Sequence, residues 1–190
     1  MLLKGFALRY KMTSDGKRQI FSIHIPGEIP DLQSFHLKTM DHTLATLTAC
    51  KVGFIEHEAV AALVEEFPRL GAAFWRETLI DAAIFRQWML GIGRKDAAAR
   101  IAHFFCEMFD RLNAVGLADG ASCPLPLTQN QMGDSLGLST VHVNRTVQEL
   151  RAQGLINLSK GVLQILDREG LAALGDFDPT YLHQNPSHAA

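Results

Sequence analysis

The stretch TQNQMGDSLGLSTVHVNRTVQELRAQG, from Thr128 to Gly154, constrains the fold more than any other part of the chain. Thr128 precedes a helical pattern and Gln131 sits three residues on, the spacing of a reciprocal capping box. That helix carries Met132 and Leu136 and must stop at Gly137, the residue type that takes a left-handed turn at least cost. Ser139 then caps a second helix, from Thr140 to about Gln153, ended by Gly154. Val143, Val147 and Leu150 recur at spacings of four and three and form its inner face. Two short helices joined by a tight glycine turn are a helix-turn-helix, whose second helix enters the DNA major groove with its N-terminal residues foremost.

The polar residues on this stretch then acquire a use. Thr140, Val141, Asn144, Arg145 and Gln148 project outward from the second helix. An arginine such as Arg145 pairs bidentately with guanine O6 and N7, Asn144 suits adenine or a phosphate, and Val141 suits a thymine methyl. Ser139, Thr140 and His142 are short or flat donors fit for phosphates, and Thr128 and Gln129 at the start of the first helix join them. After Gly154, LINLSKGVLQIL alternates and turns at Lys160-Gly161, which predicts a two-strand wing with Lys160 near the duplex backbone. Between Leu127 and Leu166, Arg145, Arg151 and Lys160 face Asp134 and Glu149, so one copy is barely basic and binds weakly; two copies double the contacts.

The rest of the chain reads as a sensor and a connector. Phe6, Leu8, Tyr10 and Met12 alternate with Ala7, Arg9 and Lys11, and Phe21, Ile23 and Ile25 alternate with Ser22 and His24. Asp15-Gly16 between them predicts a hairpin. Residues 42–55, rich in Thr and Val, read as further strands, giving a small antiparallel roll or barrel. Ala59 to Phe67 predicts a short helix, and Pro68 opens a long one to about Leu90, apolar nearly all round. A helix that apolar has no wide solvated face, so it is either a central core helix or one packed on the roll on one side and on a partner chain on the other. Gly91 and Gly93 predict a hinge. Ala97 to Leu112 is amphipathic, residues 116–126 read as a loop, and the last eight residues as a frayed tail. The expected organisation is a roll (1–67), a long helix and hinge (68–92), a winged helix (93–175) and a tail (176–190).

Composition excludes little but several classes fall away. The net charge of −2, with 47% hydrophobic and 20% charged residues, is that of an ordinary globular protein without a global nucleic-acid signature. No apolar run reaches membrane-span length, so a soluble cytoplasmic protein is expected. Cys50, Cys106 and Cys123 are too scattered for a disulfide framework or a metal cluster; Cys50 and Cys106 read as buried and Cys123, beside Pro124, as exposed. His24, His36, His42 and His57 lack the close pairing of a metal enzyme, and no nucleophile elbow or phosphate loop is present. No enzyme, cofactor or metal is expected. A module whose winged helix contacts protein rather than DNA is the alternative.

LTQNQMGDSLGLSTVHVNRTVQELRAQGLI (127–156) resembles the DNA-binding signature of the bacterial cyclic-AMP receptor protein/fumarate–nitrate regulator (Crp/Fnr) family, and the order of parts matches too. The resemblance implies an α+β fold with a cyclic-nucleotide-binding-like β-roll, a dimerisation helix and a C-terminal winged helix-turn-helix. It implies a homodimer joined through Ala73, Phe74, Glu77, Ile80, Ile84 and Trp88 on the Pro68–Leu90 helix. Its partners would be a palindromic operator and RNA polymerase. In the family, the positions of Thr140, Val141 and Arg145 read bases. Arg145 keeps the family's arginine, whereas Thr140 and Val141 depart from its arginine and glutamate, which implies a different operator. Gly27-Glu28 resembles the start of the family's nucleotide pocket. Met40-Asp41 stands where the phosphate-gripping Arg and Ser/Thr belong, and an aspartate repels a cyclic phosphate, so the effector is a different one or none. The roll's first strands, on the order of 30 residues, are expected to be missing, which exposes a sheet edge.

Overall fold

The computed structural model describes residues 1–184. The N-terminal part is a roll of short antiparallel strands: β1 (Leu2–Lys4), β2 (Ala7–Met12), β3 (Arg18–His24), β4 (Thr43–Thr46) and β5 (Lys51–Val52). Strands β3, β2 and β4 lie side by side in that order, and β1 pairs with β5. The β2–β3 turn forms where expected, with Gly16 at φ +82° and Thr13 N–H bonded to the Lys17 carbonyl.

The strict alternation predicted for these strands fails in an informative way. The β2–β3 register shifts between Arg9 and Tyr10, where Tyr10 faces Ile20 and Arg9 faces Ser22. This bulge leaves Phe21 unpaired and turned outward against Phe85 and His42. Ile20 and Ile23 therefore both enter the core. Ala7 and Arg9, expected outside, are buried because the far face of β2 is covered; there Arg9 meets the helix that follows the roll.

Helix α1 (His57–Glu66) ends before Pro68, which opens α2 (Pro68–Arg94). The predicted hinge at Gly91 and Gly93 is instead helical, and the break falls at Lys95-Asp96. Asp96 caps α3 (Ala97–Ala114) by accepting from Ala99 N–H, so a strong cap rather than a glycine decides the boundary. Every residue of α3 from Ile101 to Met108 is buried.

The C-terminal unit packs around α3. Its strands are β6 (Ser122–Pro124), β7 (Ile156–Ser159) and β8 (Val162–Ile165), and its other helices are α4 (Gln129–Leu136), α5 (Thr140–Ala152) and α6 (Arg168–Gly175). The segment predicted as a loop supplies β6, which pairs with β8 and buries Cys123; that burial pushes the thiol pKa up to about 11. Residues of the expected tail turn at Pro179–Leu182 and bury Leu182; the rest of the tail, 185–190, lies outside the described residues.

Candidate nucleic-acid interface

Helix α4 forms as its capping box requires. Gln131 N–H donates to Thr128 Oγ1 at 3.2 Å and Thr128 N–H to Gln131 Oε1 at 2.9 Å. Gly137 ends the helix at φ +65°. Gly133 is a second requirement that the sequence pattern did not reveal: a Cβ there would lie 2.5 Å from the Leu138 carbonyl oxygen. The tight turn needs that close approach, since Leu138 N–H donates to the Gly133 carbonyl. Ser139 then caps α5 by accepting from His142 N–H.

Val143, Val147 and Leu150 anchor α5 on the core, with Met132 and Leu136 of α4 in the same cluster. The other face is open. Ser139, Thr140, Val141, His142, Asn144, Arg145 and Gln148 are all exposed, and Val141 is 77% exposed. Thr128 and Lys160 are exposed too, and Gln129 is half-buried. Lys160 (φ 50°) and Gly161 (φ 75°) both take left-handed conformations at the wing tip, the geometry of a tight primed turn.

Two hydrogen bonds across the motif order this surface before any ligand arrives. Asn144 Nδ2 donates to Gln129 Oε1 and Thr140 Oγ1 to Asn130 Oδ1, each at 3.1 Å. Asn130 is thus part of the site although the sequence pattern did not single it out. Arg145 lies 3.6 Å from Glu149 one turn on, a solvated pair that is readily exchanged for a base or phosphate.

The sensor-side residues separate. Gly27 (φ +99°) shapes a turn and Glu28 borders a cavity of about 310 Å³ between roll and α2. Met40 and Asp41 are not brought to it; the Asp41 carboxylate lies on the outer surface with Lys11 and His42. Arg9, His24, Asp81 and Arg111 line the cavity instead. Arg9 donates to Asp81 at 2.6 Å, and Arg111 reaches Glu28 Oε1 at 2.8 Å and Glu107 Oε1 at 3.3 Å. Burial alone would raise the Glu28 pKa, but the Arg111 guanidinium and the His24 ring outweigh it and hold the carboxyl at about 2. Burial keeps Glu107 above the usual carboxylate range despite Arg111, Tyr181 and Trp88. A charged i,i+4 pair on the apolar face of α3, Glu107 and Arg111, was the sequence signal for this network.

The proposed dimer residues also divide. Ile84 (9% exposed) and Trp88 (6%) point into the chain's own core, where the Trp88 indole N–H donates to Glu107. Phe74 and Ile80 are half-buried beside the cavities, and Ala73 and Glu77 are exposed. The large apolar side chains of α2 left in solvent are Trp75, Leu79, Phe85, Met89, Leu90 and Ile92, on the opposite stripe. Among the described residues no three His, Cys, Asp or Glu converge as a metal site, and no helix is long and apolar enough to cross a membrane.

A winged helix-turn-helix with an exposed polar recognition face defines a DNA-binding transcription regulator. Residues 99–174 match the model of the Crp-like helix-turn-helix domain. The transcriptional activator FnrA of Stutzerimonas stutzeri is 30% identical over 177 residues, covering 90% of this chain and 70% of that protein. The nitrogen fixation regulation protein FixK of Bradyrhizobium diazoefficiens is 28% identical over 176 residues, covering 91% and 72%. The solved structure of FixK2 from Bradyrhizobium japonicum superposes with a TM-score of 0.78 at 24% identity, over 92% of this chain and 85% of that one. The chain belongs to the Crp/Fnr family of bacterial transcription regulators, which are not enzymes.

Proposed function

We propose that the protein acts in the cytoplasm as a homodimer that reads a two-fold symmetric operator, each α5 lying in the major groove of one half-site. The observation that carries this reading is the exposed face of α5, where seven residues from Ser139 to Gln148 stand free of the core while Val143 and Val147 fix the helix from behind. Arg145 reads a guanine, Val141 touches a thymine methyl, and Ser139, His142 and Lys160 hold phosphates. Asn144 and Gln148 adjust to bases or backbone. The open stripe of Trp75, Leu79, Phe85, Met89, Leu90 and Ile92 supports dimerisation along α2, since six large apolar side chains on one helix face form a patch that a second copy would cover. Ala73 and Glu77, which line the cavity on the roll side of α2, lie off this stripe.

The roll is a sensor-like domain that does not take a cyclic nucleotide. Both guanidiniums at the cavity already face carboxylates, Arg9 on Asp81 and Arg111 on Glu28 and Glu107, leaving a cyclic phosphate without a free cation among the described residues. RNA polymerase is the expected partner at the promoter.

Selection from a random duplex pool followed by gel shift at two salt concentrations tests the reading. A palindrome should be enriched, and log K should fall with log salt by about 0.9 per phosphate neutralised. Enrichment of no duplex would favour a winged helix that contacts protein.

A further inference from the structure

Besides the α2–α3 junction and the contacts of Arg111 with Glu28 and the Ile23 carbonyl, the roll and the winged helix are joined by a further tie. Arg18, the first residue of β3, places Nε 2.8 Å and Nη2 2.7 Å from Asp134 Oδ2 on α4. The pair is well sheltered, with side chains 30% and 22% exposed. The Arg18 guanidinium also lies over the Tyr10 ring, 5.7 Å from its centroid, which fixes it from a second side. The neighbouring Gln19 donates to the Ser135 carbonyl at 3.2 Å, and Arg100 of α3 donates to the Leu136 carbonyl at 2.8 Å. The last carbonyls of α4 have no partner within their own helix and carry partial negative charge, so donors and cations from outside suit them. The other end of α4 holds the recognition helix through Gln129–Asn144 and Asn130–Thr140.

A short capped helix gripped by the roll at one end and by α5 at the other transmits position. We propose that Arg18 and Asp134 are a positioning pair: the roll's hairpin clamps α4, and this sets the angle and spacing at which α5 meets the duplex. The inference deepens the dimeric-operator reading and rests on it. In a dimer, the clamp fixes the distance between the two copies of α5. Loosening it widens the range of half-site separations the protein accepts, while the contacts within each half-site survive.

The test uses the selected operator and a second duplex with its half-sites moved apart by about two base pairs. Arg18→Asp and Asp134→Arg should each weaken operator binding about fivefold to tenfold, the size of coupling between contacting groups, and should narrow the preference between the two duplexes. The combined exchange, Arg18→Asp with Asp134→Arg, should restore both. Because Asp134→Arg adds a cation to the DNA-facing unit, spacing preference and rescue by the exchange carry the test rather than affinity alone. Arg18→Gln, which removes the pair without a new charge, should move spacing preference in the same direction if a reversal variant does not fold. Unchanged spacing preference in Arg18→Gln, or an exchange variant no better than the product of its singles, overturns the proposal. Wild-type protein that binds no symmetric duplex overturns the dimeric reading, and the pair's role with it.

Discussion

Helices α2 and α3 follow one another in the chain and are both strongly apolar, yet they end in opposite situations. Helix α3 is enclosed by its own chain: α5, α6 and β6 surround it, and Arg111 ties it to the roll. Helix α2 buries Ala83, Ile84, Trp88 and Gly91 and leaves Trp75 68% and Met89 59% exposed. Apolar composition therefore says that a helix must be covered, and only the surrounding fold says by what. Helix α3 is the core of a folding unit, and the outer stripe of α2 is the surface that the proposed second copy of the chain would cover.

Substitutions on the two helices should separate these roles. Phe104 of α3 is 1% exposed and packs edge-on against Trp88. Phe104→Ala should cost about 3–5 kcal/mol of unfolding free energy, read from urea denaturation; a loss under about 1 kcal/mol would show that α3 is not the core element described. Leu79→Glu combined with Met89→Glu on α2 should convert dimers to monomers in sedimentation and make the unfolding midpoint independent of protein concentration, while the monomer still folds. Operator affinity should then fall roughly a hundredfold or more as the second half-site contact is lost. A dimer that survives both charges would move the interface off this stripe. Ile84→Glu, by contrast, should destabilise the fold itself, because that side chain lies inside the chain.

Smaller effects are expected at the ends of these helices' reach. Arg145→Ala should lose about 1–3 kcal/mol of operator binding and relax the choice at one base pair. A uniform loss on all sequences would mean that Arg145 holds only phosphate. The smallest effect concerns His103 of α3, whose pKa is lowered from 6.5 to about 4 by burial and then by the nearby Lys95 ammonium. The unfolded chain takes up a proton below pH 6.5 that the folded chain refuses until about pH 4. Stability should decline through that window as pH falls and then level for this group. Glu28 adds a separate loss at lower pH, between its ordinary 4.5 and about 2, as its carboxylate is protonated. His103→Asn should flatten the upper window and leave the lower one; an unaltered slope between pH 7 and 5 would assign it to another group.

The legibility of the two ends differs for a physical reason. The helix-turn-helix is specified by local rules: a side-chain cap reaches three residues, a glycine allows one turn, and periodicity phases α5 with its Val143, Val147 and Leu150 face inward. Each is written within a few residues, so Thr128, Ser139, Gly137 and Arg145 could be placed unaided. Asn130 escaped because its role, holding Thr140, spans two helices. The roll is specified by long-range contacts. The bulge at Phe21, the burial of Arg9 and the displacement of Asp41 from the cavity all depend on which strand or helix lies opposite, and nothing local records that. Strand β6 is illegible in the sequence for the same cause, since three residues become a strand only because β8 is there to pair with them.

The sequence by itself determined the order of parts, the recognition helix, its caps, its outward residues and the wing, because short-range hydrogen bonding and helical period settle them. The tertiary structure alone decided the phase of α2, the continuation of that helix through Gly91 and Gly93 to Arg94, and the neutralised network of Arg9, Asp81, Glu28, Arg111 and Glu107. A helix apolar on every side has no phase in its own sequence. A buried charge has no meaning until the chain brings its counter-charge, in the case of Arg111 and Glu28 from 83 residues away, into the same low-dielectric space.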